Sequence, residues 1–132
     1  MFSKKQLSLP IFLLAINLSV TYFLKNFGVE GECNEMGAWG IIQGKLLILM
    51  GSFVFLLFLL KLLFGAKDKV ERWALILVLA GGLSNFMERV FFGCVFDYLS
   101  FIPFWPMFNL GDIFVVVGIG VYGWVSFRKK TY

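Results

Sequence analysis

The stretch WALILVLAGGLSNFMERVFFGCVFDYLSFIPFWPMFNLGD, residues 73–112, decides how the rest of the chain is read. It opens on an uncharged apolar run and acquires Asn85, Glu88 and Arg89 only near the end of that run. It then breaks at Gly93 and continues through Asp97 and a segment of prolines and aromatics to Asn109 and Asp112. A helix starting at Trp73 places Glu88 roughly 22 Å along its axis, inside a hydrocarbon layer about 30 Å thick. On that helix Gly81, Asn85 and Arg89 recur at every fourth position and Glu88 follows Asn85 by three, so all four share a face. Turning such a stripe toward lipid costs several kcal/mol, which predicts a bundle with the stripe inside.

Working outward, three more stretches are apolar enough to cross a bilayer: 7–24, 39–60, broken only by Lys45, and 113–127. The fold expected is therefore an all-α membrane protein, one integral domain over 1–132 with transmembrane helices at about 7–26, 39–61, 72–91 and 109–127. Composition agrees. Hydrophobic residues make up 60% of the 132 and charged ones 15%, whereas soluble domains run at about half and a quarter. Lys4 and Lys5 ahead of the first run resemble the start of a signal peptide, but no small-residue cleavage site follows before Lys25, so the run is read as a retained helix. Pro10 is tolerable there if it falls in the first turn.

With the N-terminus on the cytoplasmic side, nine of the twelve Lys and Arg residues fall on that side: Lys4, Lys5, Lys61, Lys67, Lys69, Arg72, Arg128, Lys129 and Lys130. Only Asp68 and Glu71 stand against them. The bias predicts both termini inside, and it makes the net charge of +4 a topology signal with no nucleic-acid partner implied. Segments 25–38 and 92–108 then lie outside, the second of them at the interface, where aromatic rings prefer to sit. Both cysteines, Cys33 and Cys94, fall on this outer side, where a disulfide and two free thiols are both open.

Histidine is absent. That excludes His-based triads, and two cysteines make no standard zinc set, so neither a metal nor another cofactor is expected. Hydrolytic chemistry would have to rest on carboxylates or hydroxyls. Counted back from Phe127, Asp112 lies at nearly the height of Glu88, with Asn109 one turn above it and Asp97 in the loop joining the two helices. Structural readings stand beside this one. Asn109 would serve as an N-cap with Asp112 in the first turn, Glu88 and Arg89 as an interfacial charge pair, and Asp97 as a solvated acid. Gly81 and Gly82 would allow close helix packing, and Lys45 would snorkel outward.

The same stretch resembles the signature of the lipoprotein signal peptidases, or signal peptidase II. That family shows a Gly and an Asn on the third helix, an acid-Arg pair, Gly-x-Val-x-Asp-aromatic, and Phe-Asn-x-Ala-Asp. The matching residues here are Gly81, Asn85, Glu88-Arg89, Gly93 to Tyr98, and Phe108-Asn109-Leu110-Gly111-Asp112. A second box, Asn34-Glu35-Met36-Gly37-Ala38-Trp39-Gly40, is similar to the family's Asn-x-Gly-Ala-Ala-Phe-Gly, with Met36 in place of a glycine. The family's Asp-Gln-x-x-Lys of the first helix is met only by Asn17-Leu18-Ser19-Val20-Thr21. Glu88 replaces the usual aspartate and Gly111 the usual alanine. The short first outer segment leaves room for only a reduced β-cradle.

The resemblance implies an aspartic endopeptidase of the bacterial cytoplasmic membrane, a monomer in contact with membrane lipid, with its active site near the extracytoplasmic face. Its partners would be prolipoproteins, cut on the N-terminal side of a diacylglyceryl-cysteine. Asp97 and Asp112 would be the catalytic dyad, with Asn34, Asn85, Glu88, Arg89, Asn109 and Gly81 supporting it or binding substrate. Two rivals remain at this stage. A four-helix proton-coupled drug exporter would want an acid in the first helix, which has none. An inactive lipoprotein-binding relative would fit the missing charges at Asn17 and Thr21.

Overall fold

The computed structural model describes residues 4–35 and 44–131. It contains α1 (Lys4–Asn26), β1 (Glu32–Asn34), α2 (Lys45–Gly65), α3 (Lys69–Phe92), β2 (Val95–Asp97) and α4 (Leu110–Thr131). All four helices are long and apolar enough to cross a membrane, over Ser8–Asn26, Lys45–Gly65, Lys69–Phe92 and Leu110–Lys129. The expected four-helix membrane class is thus found, with a small two-stranded sheet added. Pro10 lies inside α1, beyond its first turn, because the helix begins at Lys4. It removes one backbone donor there, so the carbonyl a turn earlier loses its intrahelical partner. The start expected for the second span, and Met36 to Gly40 of the second sequence box, lie outside the described residues.

The surface is inverted relative to a protein built for water. Phe58, Phe64, Trp124 and Phe127 are exposed, while Asn17, Ser84, Glu88 and Asn109 are completely buried. This is the arrangement a hydrocarbon solvent selects, because lipid gains nothing from polar side chains. α3 is central and packs on all three other helices. Its Leu75, Ile76 and Val78 form a core with Leu56, Leu59 and Leu63 of α2.

Against α4 the contact is made by backbone. A Cβ on Gly81 would strike the Gly111 carbonyl and lie 3.0 Å from Phe114 and Val115, and one on Gly118 would come within 2.7 Å of the Ala74 carbonyl. Small residues let the two helices approach closely, a common basis of helix association in lipid. The crossing carries the first turn of α4 onto the polar face of α3.

At one end of this pair Asp68 caps α3, accepting from the amides of Val70 and Glu71 at 2.7 and 3.1 Å. Lys129, near the end of α4, lies 2.9 Å from Glu71. At the other end α3 stops at Gly93, whose φ of 80° suits a residue without Cβ. β2 then pairs antiparallel with β1, in the register Glu32↔Asp97, Cys33↔Phe96 and Asn34↔Val95. Cys33 and Cys94 are joined by a disulfide. Beyond β2 an isolated bridge pairs Leu99 with Phe108. It pins the base of a loop whose Phe101, Phe104 and Trp105 are exposed.

Candidate active site

The site starts from how α4 begins. Asn109 Oδ1 accepts from the amide of Asp112 at 3.0 Å, and Asp112 Oδ2 accepts from the amide of Asn109 at 3.0 Å. This is a reciprocal capping box, each side chain satisfying the other's backbone donor. The capping reading of this pair is therefore correct as structure, and it is incomplete. The same Asn109 side chain extends Nδ2 to Asp97 Oδ1 at 2.9 Å, so one buried amide is bonded to both aspartates.

Among the described residues each carboxylate has two N–H donors. Asp97 accepts from Asn109 and, through Oδ2, from Asn34 Nδ2 at 3.0 Å. Asn34 reaches it because alternate residues of an antiparallel pair share a face and diagonal neighbours touch. Asp112 accepts from its partner's amide and, through Oδ1, from Asn85 Nδ2 at 2.8 Å. Asn85 comes from α3, Asn109 and Asp112 from the start of α4, Asn34 from β1 and Asp97 from β2. Residues from 34 to 112 meet in one cluster.

Asp97 is only 3% exposed and is not a solvated loop acid. Burial pushes its carboxyl up to about 6, and the nearby charge of Asp112 adds to the rise. The hydrogen bonds from Asn34 and Asn109 and the positive charge of Arg89 oppose it. Arg89 stands within electrostatic reach of Asp112, Asp97 and Glu88. Burial and the neighbouring charge thus both favour a proton on Asp97.

Glu88 and Gly81 have different duties. Glu88 turns toward α1 and β2, accepting from the amide of Phe96 at 3.0 Å and the hydroxyl of Thr21 at 3.2 Å. It holds the backbone one residue before Asp97. Gly81 makes room for α4. Asn17 Nδ2 donates to Ser84 Oγ, so the two neutral residues found where charges were expected both engage α3. Tyr98 did not stand out in the sequence as a site residue, yet its hydroxyl accepts from the amide of Leu110 at 3.3 Å and steadies the start of α4. The one signal for it was its place directly after Asp97. Burial raises its phenol above the usual range. Among the described residues no group of His, Cys, Asp and Glu is arranged to hold a metal ion.

The chain matches the family described as Signal peptidase (SPase) II over residues 4–128. Among curated relatives, a lipoprotein signal peptidase of Clostridium acetobutylicum is 42% identical over 94 residues, covering 64% of this chain and 60% of that protein. One from Bacillus pumilus is 34% identical over 103 residues, covering 70% and 64%. The chain thus spans less than two thirds of the length of these two relatives. A bacterial membrane enzyme solved by the in meso method at 2.3 Å shares the fold, with a TM-score of 0.79 at 24% identity over 98% of this chain and 91% of that one.

Proposed function

Since the chain belongs to the signal peptidase II family, we propose that it is a membrane-embedded aspartic endopeptidase that removes signal peptides from prolipoproteins, cutting N-terminal to the diacylglyceryl-cysteine. The observation that carries this reading is the single Asn109 side chain bonded to both Asp97 and Asp112, which holds two acids in one buried cluster. Lipoprotein signal peptidase is the name borne by relatives that match this chain.

Asp97, whose carboxyl is raised by burial, is assigned the proton. Asp112 then takes a proton from water as the water oxygen bonds to the scissile carbonyl carbon, while Asp97 gives its proton to the carbonyl oxygen. As the tetrahedral species collapses, one of its hydroxyls returns its proton to Asp97 as the carbonyl re-forms, the C–N bond breaks, and the departing amine of the lipidated cysteine takes the proton held by Asp112. No covalent intermediate forms. Asn85, Asn109 and Asn34 keep the carboxylates oriented, and Arg89 balances their charge. The lipid-modified cysteine would keep its acyl chains in the bilayer while the peptide enters from the side.

The basic residues near Lys4, Lys67 and Lys129 favour cytoplasmic termini, so the aspartates face the extracytoplasmic side. A monomer is the assembly proposed, because Asn34, Asn85, Asp97, Asn109 and Asp112 of one chain meet in the cluster. The test mixes purified protein in detergent with a diacylglyceryl prolipoprotein and follows the shorter product. Cleavage by the wild type and its loss in Asp97→Asn and Asp112→Asn, with folding intact, is the expected result. A wild type that leaves the substrate whole, or a folded Asp112→Asn that still cuts, would overturn it.

A further inference from the structure

β1 has little of its own to hold it. It is three residues long and pairs with one strand equally short, and hairpins of that size are marginal in water. Its Glu32 and Cys33 are exposed, so burial contributes little. Yet its last residue, Asn34, donates its side-chain amide to Asp97. Two features press the strand into place. A Cβ on Gly31 would lie 2.6 Å from the Phe96 ring and 2.8 Å from the Asp97 carbonyl, so the chain entering β1 runs flat against β2. And Cys33 is bonded to Cys94, which is 3% exposed and follows directly on the Gly93 cap of α3.

We propose that the Cys33–Cys94 disulfide is a positioning device for the proteolytic site, fastening β1 to the end of α3 so that the Asn34 amide stays on Asp97. The other groups around Asp97 do not depend on it. Asn109 and Asp112 come with α4, Arg89 with α3, and Glu88 of α3 holds the neighbouring Phe96 amide. Opening the bond with a dithiol moves two electrons and two protons onto the cysteine sulfurs, leaving two thiols and an oxidised reagent. β1 is then held less firmly against the end of α3, and Asp97 loses a donor that favours its ionised form. The consequence for rate rests on the peptidase reading, and the consequence for Asp97 itself does not.

The test follows the carboxyl carbons of aspartate-labelled protein in detergent by NMR through a pH titration. It compares untreated wild type, dithiothreitol-treated wild type, Cys33→Ser/Cys94→Ser, Asn34→Ala, and the triple variant. Reduction, the double variant and Asn34→Ala are each expected to move the Asp97 midpoint upward by about half a pH unit, and the triple variant no further than Asn34→Ala alone. Prolipoprotein cleavage, measured in parallel, is expected to fall several-fold with its alkaline limb moving upward together with that midpoint. An Asp97 midpoint that reduction leaves in place, or effects of the cysteine and Asn34 changes that add, would overturn the proposal. A shifted midpoint in a protein that cuts no prolipoprotein supports the positioning role and overturns the peptidase reading alone. The dithiothreitol arm uses protein already folded, so a double variant that fails to fold leaves the question decidable.

Discussion

Two acidic clusters sit at opposite ends of the α3–α4 pair, and both cap a helix. At one end Asp68 accepts two backbone amides of α3 and lies 3.8 Å from Lys129. The Glu71 and Val70 amides, with the lysine beside them, hold its carboxyl below the usual range. At the other end Asn109 and Asp112 cap α4, and Asp97 is drawn in alongside, buried, its carboxyl raised to about 6. The motif is the same and the partners differ. Amide donors beside water, helped by a lysine, hold the Asp68 carboxyl down and make it structural. At Asp97 burial outweighs its amide donors and the charge of Arg89, so its proton stays available near neutral pH.

The largest expected effect comes from the acids themselves. Asp97→Asn and Asp112→Asn should each lower prolipoprotein cleavage by about 10³-fold or more, whereas Asp68→Asn should leave it within about twofold. Equal losses at both ends would erase the contrast. Next comes the helix crossing. Gly81→Val and Gly118→Val both force side chains into backbone on the facing helix and should destabilise the protein by about 1–3 kcal/mol each. Only Gly81→Val, which displaces the first turn of α4, should also impair cleavage beyond the loss of folded protein. Thermal unfolding beside specific activity separates the two.

The pH dependence of stability should have opposite sign at the two ends. Between 3.8 and about 6 the folded protein keeps a proton on Asp97 that the unfolded chain has released, so this contribution is full at low pH and is lost as pH rises through that window. Asp97→Asn should flatten this slope. Asp68, with its carboxyl lowered, stabilises at higher pH and loses that contribution as pH falls through its folded value. The smallest effect is at the exposed pair. Lys129→Ala should lower Tm by only about a degree or two in low salt and less in high salt, with cleavage unchanged.

The four helices were legible because lipid demands long uncharged runs, and the chain supplies them at regular intervals. The stripe of Asn85, Glu88 and Arg89 and the Asn109–Asp112 pair were legible as spacing. Other features left no pattern. Three-residue strands are too short to show alternation, so β1 and β2 were not readable from the pattern itself, and the resemblance alone offered a reduced β-cradle and a supporting Asn34. Glu88 and Arg89, adjacent in sequence, suggested an interfacial charge pair, yet Glu88 finds its hydrogen bonds 67 residues away on Thr21 and on the Phe96 backbone. Cys33 and Cys94 gave only a choice that distance in space decides, with Cα atoms 5.5 Å apart.

Because Asn109 starts a helix and grips both acids with one side chain, fraying and disarming are the same event. The amides of Leu110 to Ile113 therefore act as a gauge. Their exchange with deuterated solvent should report, without any substrate present, what fraction of the molecules stands ready to work.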